Sequence, residues 1–312
     1  MQPSDRIGRR LSLRDLNLLL VVIEKRSMSK AAADLAVSQP VVSKAIANME
    51  RVLGVPLLDR SPTGVEPTPY GRAIARRGVA AFDELRQGVK DIASLLDPTA
   101  GEVRIGCNSP LAGGIVATSI RKLSRRYPKI SFHVEVGDLA ALLQELNDRN
   151  IELAIGSMME PIAPDDMQIE TLFDDRLVVV AGQRNKWFRR REVKLEELVK
   201  EPWVLPYGAA VGPMVAQAFR AAGVDAPRAT VSSRASRLNE NLRASGRFLS
   251  MLPESVIWSA DGHLPYKILP VALPSPPTPV VMVTLKNRTP SAVAQLFVSS
   301  LREAAKPLKN DH

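Results

Sequence analysis

Between Gln39 and Leu53 the apolar residues Val42, Ile46, Met49 and Leu53 recur at steps of four, three and four, which places them on one face of a helix. Gln39, Ser43, Lys44, Ala47 and Asn48 fall largely on the other face. A solvated helix face is usually rich in Glu and Lys. This one carries short or forked hydrogen-bonding groups of the kind that suit base edges and phosphates in a major groove. Any fold of this chain must bury the first row while leaving the second bare.

Two shorter helical patterns precede it. Leu16, Leu19, Leu20 and Ile23 share a face of a helix predicted over 13–25. Ser29 is the expected cap of a second helix over 30–35, where Ala31, Ala32 and Ala33 allow close packing. Ser38 is the N-cap candidate of the third helix, and Pro40 sits in its first turn, where a missing N–H costs little. Three short helices with a brief break before the last read as a helix-turn-helix. The break lacks glycine, so a small helical bundle with a solvated face stays open as the alternative.

Thr68 is the expected cap of a long helix from about Pro69 to Leu96. Phe82, Leu85, Val89, Ile92 and Leu96 follow one another in steps of three and four, a coiled-coil seam, and Ala75 and Gly78 extend the register backwards with small residues. The helix is expected to pair with its copy in another subunit; the alternative is that the stripe packs on its own domain. The run Asp97-Pro98-Thr99-Ala100-Gly101 ends it and marks the clearest domain boundary. Residues 1–96 carry 15 Lys and Arg against 10 Asp and Glu, and the rest 27 against 23, so the shorter N-terminal piece is the more basic per residue.

A length of 312 residues accommodates two or three domains, and 45% hydrophobic against 4% aromatic residues implies cores of Ala, Val, Leu and Ile. The net charge of +9 fits a polyanionic partner, although a basic surface also serves solubility alone. The apolar run 18–23 is cut by Glu24-Lys25-Arg26 with no small-residue cleavage site after it, so it reads as a helix core and not a signal peptide. No stretch approaches the roughly 20 apolar residues of a membrane span. A cytoplasmic protein with no membrane partner is expected. The single cysteine, Cys107, excludes an intramolecular disulfide, and His133, His263 and His312 are too scattered for a metal site. Cys107 ends a strand-like run with no motif-linked histidine, so it reads as core and not as a nucleophile. No cofactor, metal or catalytic residue is expected, and the chain is not expected to be an enzyme.

After Gly101 the periodicity alternates. "EVRIGC", "ISFHVEV", "IELAIG", "RLVVVAG", "WVLP", "ATVSS" and "RFLSMLP" read as strand segments, with helices over 111–127, 139–147 and 212–222 between them. Such alternation predicts a mostly parallel sheet covered by helices, with elements enough for two subdomains. The late strand "PVVMVTL" and a helix over 291–305 are expected to return and complete the first. "KWFRRREVK" reads as a solvated basic loop, and "LPSPPTP" as an extended crossover between subdomains.

The stretch "SKAAADLAVSQPVVSKAIANMERVLGVPLLDR" followed by "GVEPTPYG" resembles the N-terminal domain of LysR-type transcriptional regulators over roughly residues 11–96. Met49 and Leu58 depart from the family's usual leucine and phenylalanine but stay apolar, and Pro67 and Tyr70 also replace commoner residues. From Gly101 to about residue 305 the element order, with "RRYPKISFHVEVGDLAALLQEL" and "IELAIG", resembles the effector-binding domain of the same family. The resemblance implies an α plus α/β chain: a winged helix-turn-helix over 11–68, a dimerising linker helix over 69–97, and a periplasmic-binding-protein-like domain over 101–306. That domain would comprise subdomain I at about 101–170 and 267–306, and subdomain II at about 171–266.

By position, the resemblance implies that Gln39 and Pro40 meet base edges and that Ser38, Ser43 and Lys44 hold phosphates or nearby bases. Arg60 would lie in a wing over 57–68, with Ser61-Pro62-Thr63-Gly64 as its turn, and enter the minor groove. Thr68, at the base of the wing, joins the DNA-contacting set. The implied partners are double-stranded DNA, a small-molecule inducer such as an organic anion, further copies in a homodimer or homotetramer, and RNA polymerase. In such folds ligands sit between subdomains, near strand C-termini and helix N-termini that favour anions. Asn108, Ser109, Asp138, Ser157 and Tyr207 occupy those positions. Each has a plain alternative as a cap or an interface wall. Several relatives that bind aromatic acids have arginine where Ser157 stands, and Arg247 displaces a small residue in "ASGRFLSMLP". Arg234, Arg237 and Arg247 are then either compensating charges or plain surface. Two other functional classes remain open at this point: a cytoplasmic small-molecule receptor, and an enzyme with an appended DNA-binding domain.

Overall fold

The computed structural model describes residues 11–61, 64–97, 99–160, 165–205, 212–258, 265–274 and 276–309. The chain divides into two compact units at Val89/Lys90. In the first, α1 (Leu13–Lys25) opens on a reciprocal cap: Ser12 Oγ accepts the Asp15 N–H and the Asp15 carboxylate accepts the Ser12 N–H. Helix α2 (Met28–Asp34) is capped by Ser27, whose Oγ accepts the Lys30 N–H, and not by Ser29 as the sequence suggested. Ser27 already has the extended backbone a cap requires, so the helix starts two residues early. Helix α3 (Gln39–Leu53) follows Ser38 and ends at Gly54, which adopts a left-handed φ of 74°. Val42, Ile46 and Met49 are buried against Leu18, Leu19, Val22, Ala31, Ala32 and Leu57, whereas Leu53 is only partly covered.

A hairpin of β1 (Leu58–Ser61) and β2 (Gly64–Pro67) comes next, with Arg60 opposite Val65. Its tip residues Pro62 and Thr63 lie outside the described residues. Helix α4 (Pro69–Leu96) follows directly. Three elements meet at the buried turn before β1. Glu50 Oε1 accepts the N–H groups of Leu57 and Leu58 at 2.8 and 3.3 Å. Thr68 Oγ1 donates to Pro56 O at 2.7 Å and accepts the Gly71 N–H at 3.0 Å, while the Thr68 N–H donates to Leu57 O. No side chain fits at Gly71, where a Cβ would lie 2.0 Å from Leu57 O.

Gly78 faces Leu16 and Leu20 of α1, so the small-residue part of the α4 stripe packs on its own unit and not on a second copy. Farther along, the stripe is bare: Leu85, Val89, Ile92 and Leu96 are 53, 68, 62 and 83% exposed.

The second unit starts with β3 (Ala100–Cys107), a short α5 (Ser109–Leu111), a widened turn over Ala112–Val116 and α6 (Ala117–Arg126). The single helix expected over 111–127 is interrupted because Gly114 has non-helical φ and ψ of −97° and −113°. Then come β4 (Lys129–Val136), α7 (Leu139–Asn147), β5 (Leu153–Ser157), β6 (Met167–Asp175), β7 (Leu177–Gly182), α8 (Leu195–Leu198), β8 (Trp203–Leu205) and α9 (Gly212–Ala221). The remainder is β9 (Val231–Ser232), α10 (Ser236–Ala244), β10 (Leu249–Pro253), α11 (Ser255–Trp258), β11 (Tyr266–Ile268), β12 (Thr278–Leu285) and α12 (Ala292–Lys309).

These strands form two five-stranded sheets, β4-β3-β5-β12-β6 and β11-β7-β10-β8-β9. Both are mixed, not mostly parallel: β12 runs antiparallel to β5 and β6, and β7 antiparallel to β10 and β11. Strand β6, not anticipated from the sequence, carries the first sheet to Asp175, past the expected subdomain boundary at 170. In the first sheet Ile105, Ile155 and Val280 pack under Phe297 and Leu301 of α12, and Leu139, Leu142 and Leu146 of α7 cover Ala154, Val281 and Val283. In the second, Trp203 meets Phe219 edge-on with centroids 5.6 Å apart and donates its indole N–H to Leu198 O.

The chain passes between the sheets at Arg176 and again between Ile268 and Thr278. Asp175, buried at the first crossing, accepts the Ser255 N–H at 3.1 Å and the Ser255 hydroxyl at 2.5 Å. Burial holds the Asp175 carboxyl above the usual carboxylate range, opposed by those bonds. Among the described residues no helix is long and apolar enough to cross a membrane.

Replacing Gly71 with alanine tests the turn before β1. Helix propensity favours alanine by up to about 1 kcal/mol, but forcing a methyl onto a backbone carbonyl costs about 1–3 kcal/mol. Gly71→Ala is therefore expected to destabilise the N-terminal unit in a denaturant titration; an unchanged or raised midpoint would contradict this packing.

Candidate DNA-reading face and effector cleft

Burying Val42, Ile46 and Met49 forces the opposite side of α3 outward. Ser38, Gln39, Pro40 and Lys44 are exposed, and Ser43 and Asn48 are half-buried. The Ser38 side chain makes no cap bond; the Val41 and Val42 N–H groups donate to Ser38 O, Pro40 has none to offer, and the positive end of the helix dipole stays at the surface. Asn48 Oδ1 accepts from the Arg51 guanidinium at 2.6 Å. Arg60 is exposed on β1. Thr68 fills the capping role expected of it and not the DNA contact that the resemblance implied. It is 4% exposed, and its hydroxyl is engaged by Pro56 O and the Gly71 N–H, so it caps α4 and presents nothing to DNA. Glu50, which sequence reading passed over, fixes the turn below β1; its position between the apolar and polar faces of α3 was the available signal.

In the second unit the expected ligand positions separate into ties and cleft groups. Asn108 is buried, with Oδ1 accepting the Ser157 N–H at 3.1 Å and Nδ2 donating to Gly137 O at 3.4 Å. Its own N–H donates to Ile155 O. Asn108 thus laces together the ends of β3, β4 and β5, and its polar atoms are committed to backbone instead of a ligand. Gly156 makes room for this, since a Cβ there would lie 2.3 Å from Asn108 Oδ1.

Ser109 is exposed, and its Oγ lies 3.1 Å from Ser236 Oγ in α10, on the other sheet's side. Asp138 precedes α7 without a side-chain cap bond; its Oδ2 lies 3.7 Å from the Arg234 guanidinium. Ser157 is half-buried at the end of β5. Tyr207 lies outside the described residues. The structure therefore gathers Ser109, Ser236, Asp138 and Arg234 where the two subdomains meet. Arg237 is exposed, and Arg247 is exposed and stacked over its neighbour Phe248.

The basic run around Trp187 is held by local contacts: Lys186 pairs with Glu201 at 2.6 Å, and Lys186 and Arg190 lie over the Trp187 ring. Cys107 is fully buried, and desolvation pushes its thiol up to about 11. Among the described residues no cluster of His, Cys, Asp and Glu is placed to hold a metal.

Two measurements check these assignments. Thr68→Ala is expected to lower stability by about 0.5–2 kcal/mol, the usual loss for a removed N-cap, while the folded protein keeps wild-type DNA affinity; a selective loss of affinity would restore Thr68 to the DNA-contacting set. Cys107 is expected to resist iodoacetamide at pH 8 in the native protein and to react fully in denaturant. Because the folded thiol holds its proton more tightly, its contribution to stability is present below pH 9 and is lost as pH rises through about 11.

Comparison with known proteins places this geometry. Residues 13–72 match the family model described as the bacterial regulatory helix-turn-helix protein, lysR family, and residues 97–306 match the LysR substrate binding domain. The transcriptional regulator GbpR of Azospirillum brasilense is 27% identical over 300 residues, covering 95% of this chain and 87% of its own length. A full-length OxyR variant from Pseudomonas aeruginosa superposes with a TM-score of 0.65 at 20% identity, over 97% of this chain and 99% of the other. Full-length CbnR, solved in complex with its target DNA, does so with a TM-score of 0.54 at 20% identity, over 95% of this chain and all of the other. An N-terminal match through the helix-turn-helix and a C-terminal match across both sheets make this chain a member of the LysR family, a DNA-binding transcriptional regulator with a domain for a small-molecule effector.

Proposed function

We propose that this regulator reads double-stranded DNA with Gln39 and Pro40 at base edges in the major groove, Ser38, Ser43 and Lys44 at phosphates or nearby bases, and Arg60 of the hairpin in the neighbouring minor groove. The observation that carries this reading is the bare polar face of α3, set on a core that allows no other orientation of Val42, Ile46 and Met49. The neighbour CbnR, solved with its target DNA, supports the same use of the fold.

The exposed stripe of Leu85, Val89, Ile92 and Leu96 supports pairing of α4 with a second copy, as the linker of a homodimer from which a tetramer can assemble. In this reading residues 11–68 read DNA, 69–97 pair, and 101–306 sense an effector, with the subdomains following the two sheets. A paired reader presents two recognition helices to two half-sites.

The effector is a small organic anion seated beside Ser109, Asp138 and Ser157, with Tyr207 joining them by sequence position. Its binding changes the angle between subdomains, and with it DNA bending and access of RNA polymerase; an effector shifts this balance only through its differential affinity for the two arrangements. The chain works in the cytoplasm without chemistry of its own. The buried Cys107 thiol, held protonated, and the regulators among its relatives support that reading.

The test is a footprint of the purified protein on DNA upstream of its own gene, with Gln39→Ala and Lys44→Ala alongside. Protection of an imperfect inverted repeat is expected. Gln39→Ala should relax sequence preference by about 1–3 kcal/mol if its base contact is bidentate. Lys44→Ala should weaken binding to all sequences and reduce the salt slope by about 1. Wild-type footprints from both variants would remove α3 as the reading face.

A further inference from the structure

Two charged groups from the sides of the two sheets already meet each other. Asp138 stands at the start of α7 on the first sheet's side, and Arg234 follows β9 on the second's; their Oδ2 and Nη2 atoms are 3.7 Å apart. Ser109 and Ser236 form a second direct contact between the same two sides.

We propose that Arg234 is the receptor for the anionic group of the effector and that Asp138 is its built-in competitor. The pair latches the ligand-free cleft, and a carboxylate-bearing effector acts by taking Arg234 away from Asp138. This rests on reading the space between the sheets as the effector site.

Three features carry it. The separation of 3.7 Å is longer than a charge-assisted hydrogen bond of about 2.7–2.9 Å, so the Arg234 donors are not fully used. Both side chains are partly open to solvent, 56% for Arg234 and 34% for Asp138, which keeps the tie weak and exchangeable. A ligand carboxylate that meets the guanidinium with two parallel bonds outcompetes a single loose contact. The serines add to this. Either hydroxyl can be the donor in their contact, so the pair leaves one proton unused, and both can turn toward the oxygens of an incoming anion. Asp138 also sets specificity: an anion gains by displacing it, whereas a neutral ligand has no affinity with which to offset the lost bridge.

The experiment uses the full-length protein with spin labels on cysteines introduced at Ala141 and Ala244, both exposed, since the native Cys107 is buried. Cross-cleft distances are measured without ligand and with sodium acetate as the probe. In the absence of acetate, Asp138→Asn and Arg234→Gln should each lengthen the distance, and the exchanged pair Asp138→Arg with Arg234→Asp should restore it. Acetate should lengthen the parent's distance toward that of Asp138→Asn, in which the latch is already open and which should lengthen no further. Arg234→Gln should not respond.

Identical ligand-free distances in the parent and both single variants would overturn the latch. So would a parent distance that saturating acetate leaves unmoved. Footprinting the same samples separates the two readings. An intact footprint with unmoved distances removes the latch alone. A lost footprint in the parent, with distances that still shift, removes the DNA-reading assignment and leaves the latch.

Discussion

A backbone N–H or C=O buried without a partner costs about 1–3 kcal/mol, and that constraint governs where the decisive polar side chains of this protein sit. At the end of α3 the chain turns inward at Leu57 and Leu58, which are buried, so their N–H groups and the carbonyls of Pro56 and Leu57 need partners inside the protein. Glu50 answers two of the amides, and Thr68 answers both carbonyls and a helix N-terminus. Recognition helix, hairpin and linker helix are thereby fastened at one turn. The effector domain meets the same constraint at the ends of β3, β4 and β5, where Asn108 closes the account with three bonds.

Fastening of this kind is what lets an exposed face be specific. The polar side of α3 is presented by a helix that cannot roll, because its other side is locked among Leu18, Leu19, Val22 and Leu57. Side chains that meet base edges from a rigid frame lose less entropy on binding than the same groups on a loop. The exposed apolar stripe of α4 is the converse case. Among the described residues Leu85, Val89 and Ile92 stay exposed, an apolar surface left in contact with water.

Within the effector domain the ties are graded. At the crossing between sheets, Asp175 and Ser255 are buried and joined by two short bonds. Between the two sheets' sides, Ser109, Ser236 and Arg234 are exposed and Asp138 is half-buried; the hydroxyls lie 3.1 Å apart and the charged pair 3.7 Å. Water competes for the second kind and not for the first. The contacts between Ser109 and Ser236 and between Asp138 and Arg234 are therefore the ones that yield most readily, while Asp175 and Ser255 keep the anchorage at the crossing.

Much of this was legible in the sequence. The periodicity of Leu16 to Ile23, of Val42 to Met49 and of Leu85 to Leu96 located those helices, while the two compact units divide at Val89/Lys90, inside α4 and ahead of the boundary expected at 97–101. These features are local: helix periodicity and turn chemistry depend on residues three or four apart. The misses have local causes too. Ser27 and Ser29 are both acceptable caps, and only the backbone angle at residue 27 selects the first. Strand β6 was hidden because Met167 to Asp175 is an edge strand with an irregular alternation. Thr68 and Asn108 carry side chains suited equally to a ligand and to a buried backbone; the sequence names the residue but not which partner reaches it. Sequence alone settled the helices of the N-terminal unit and which face of α3 is polar, whereas α10 went unread and the helix expected over 111–127 is broken at Gly114. Only the tertiary structure decided that Ser109 meets Ser236 from 127 positions away, and that Asp138 faces Arg234. Such pairs are set by how two sheets are folded against each other, and chain separation carries no trace of it.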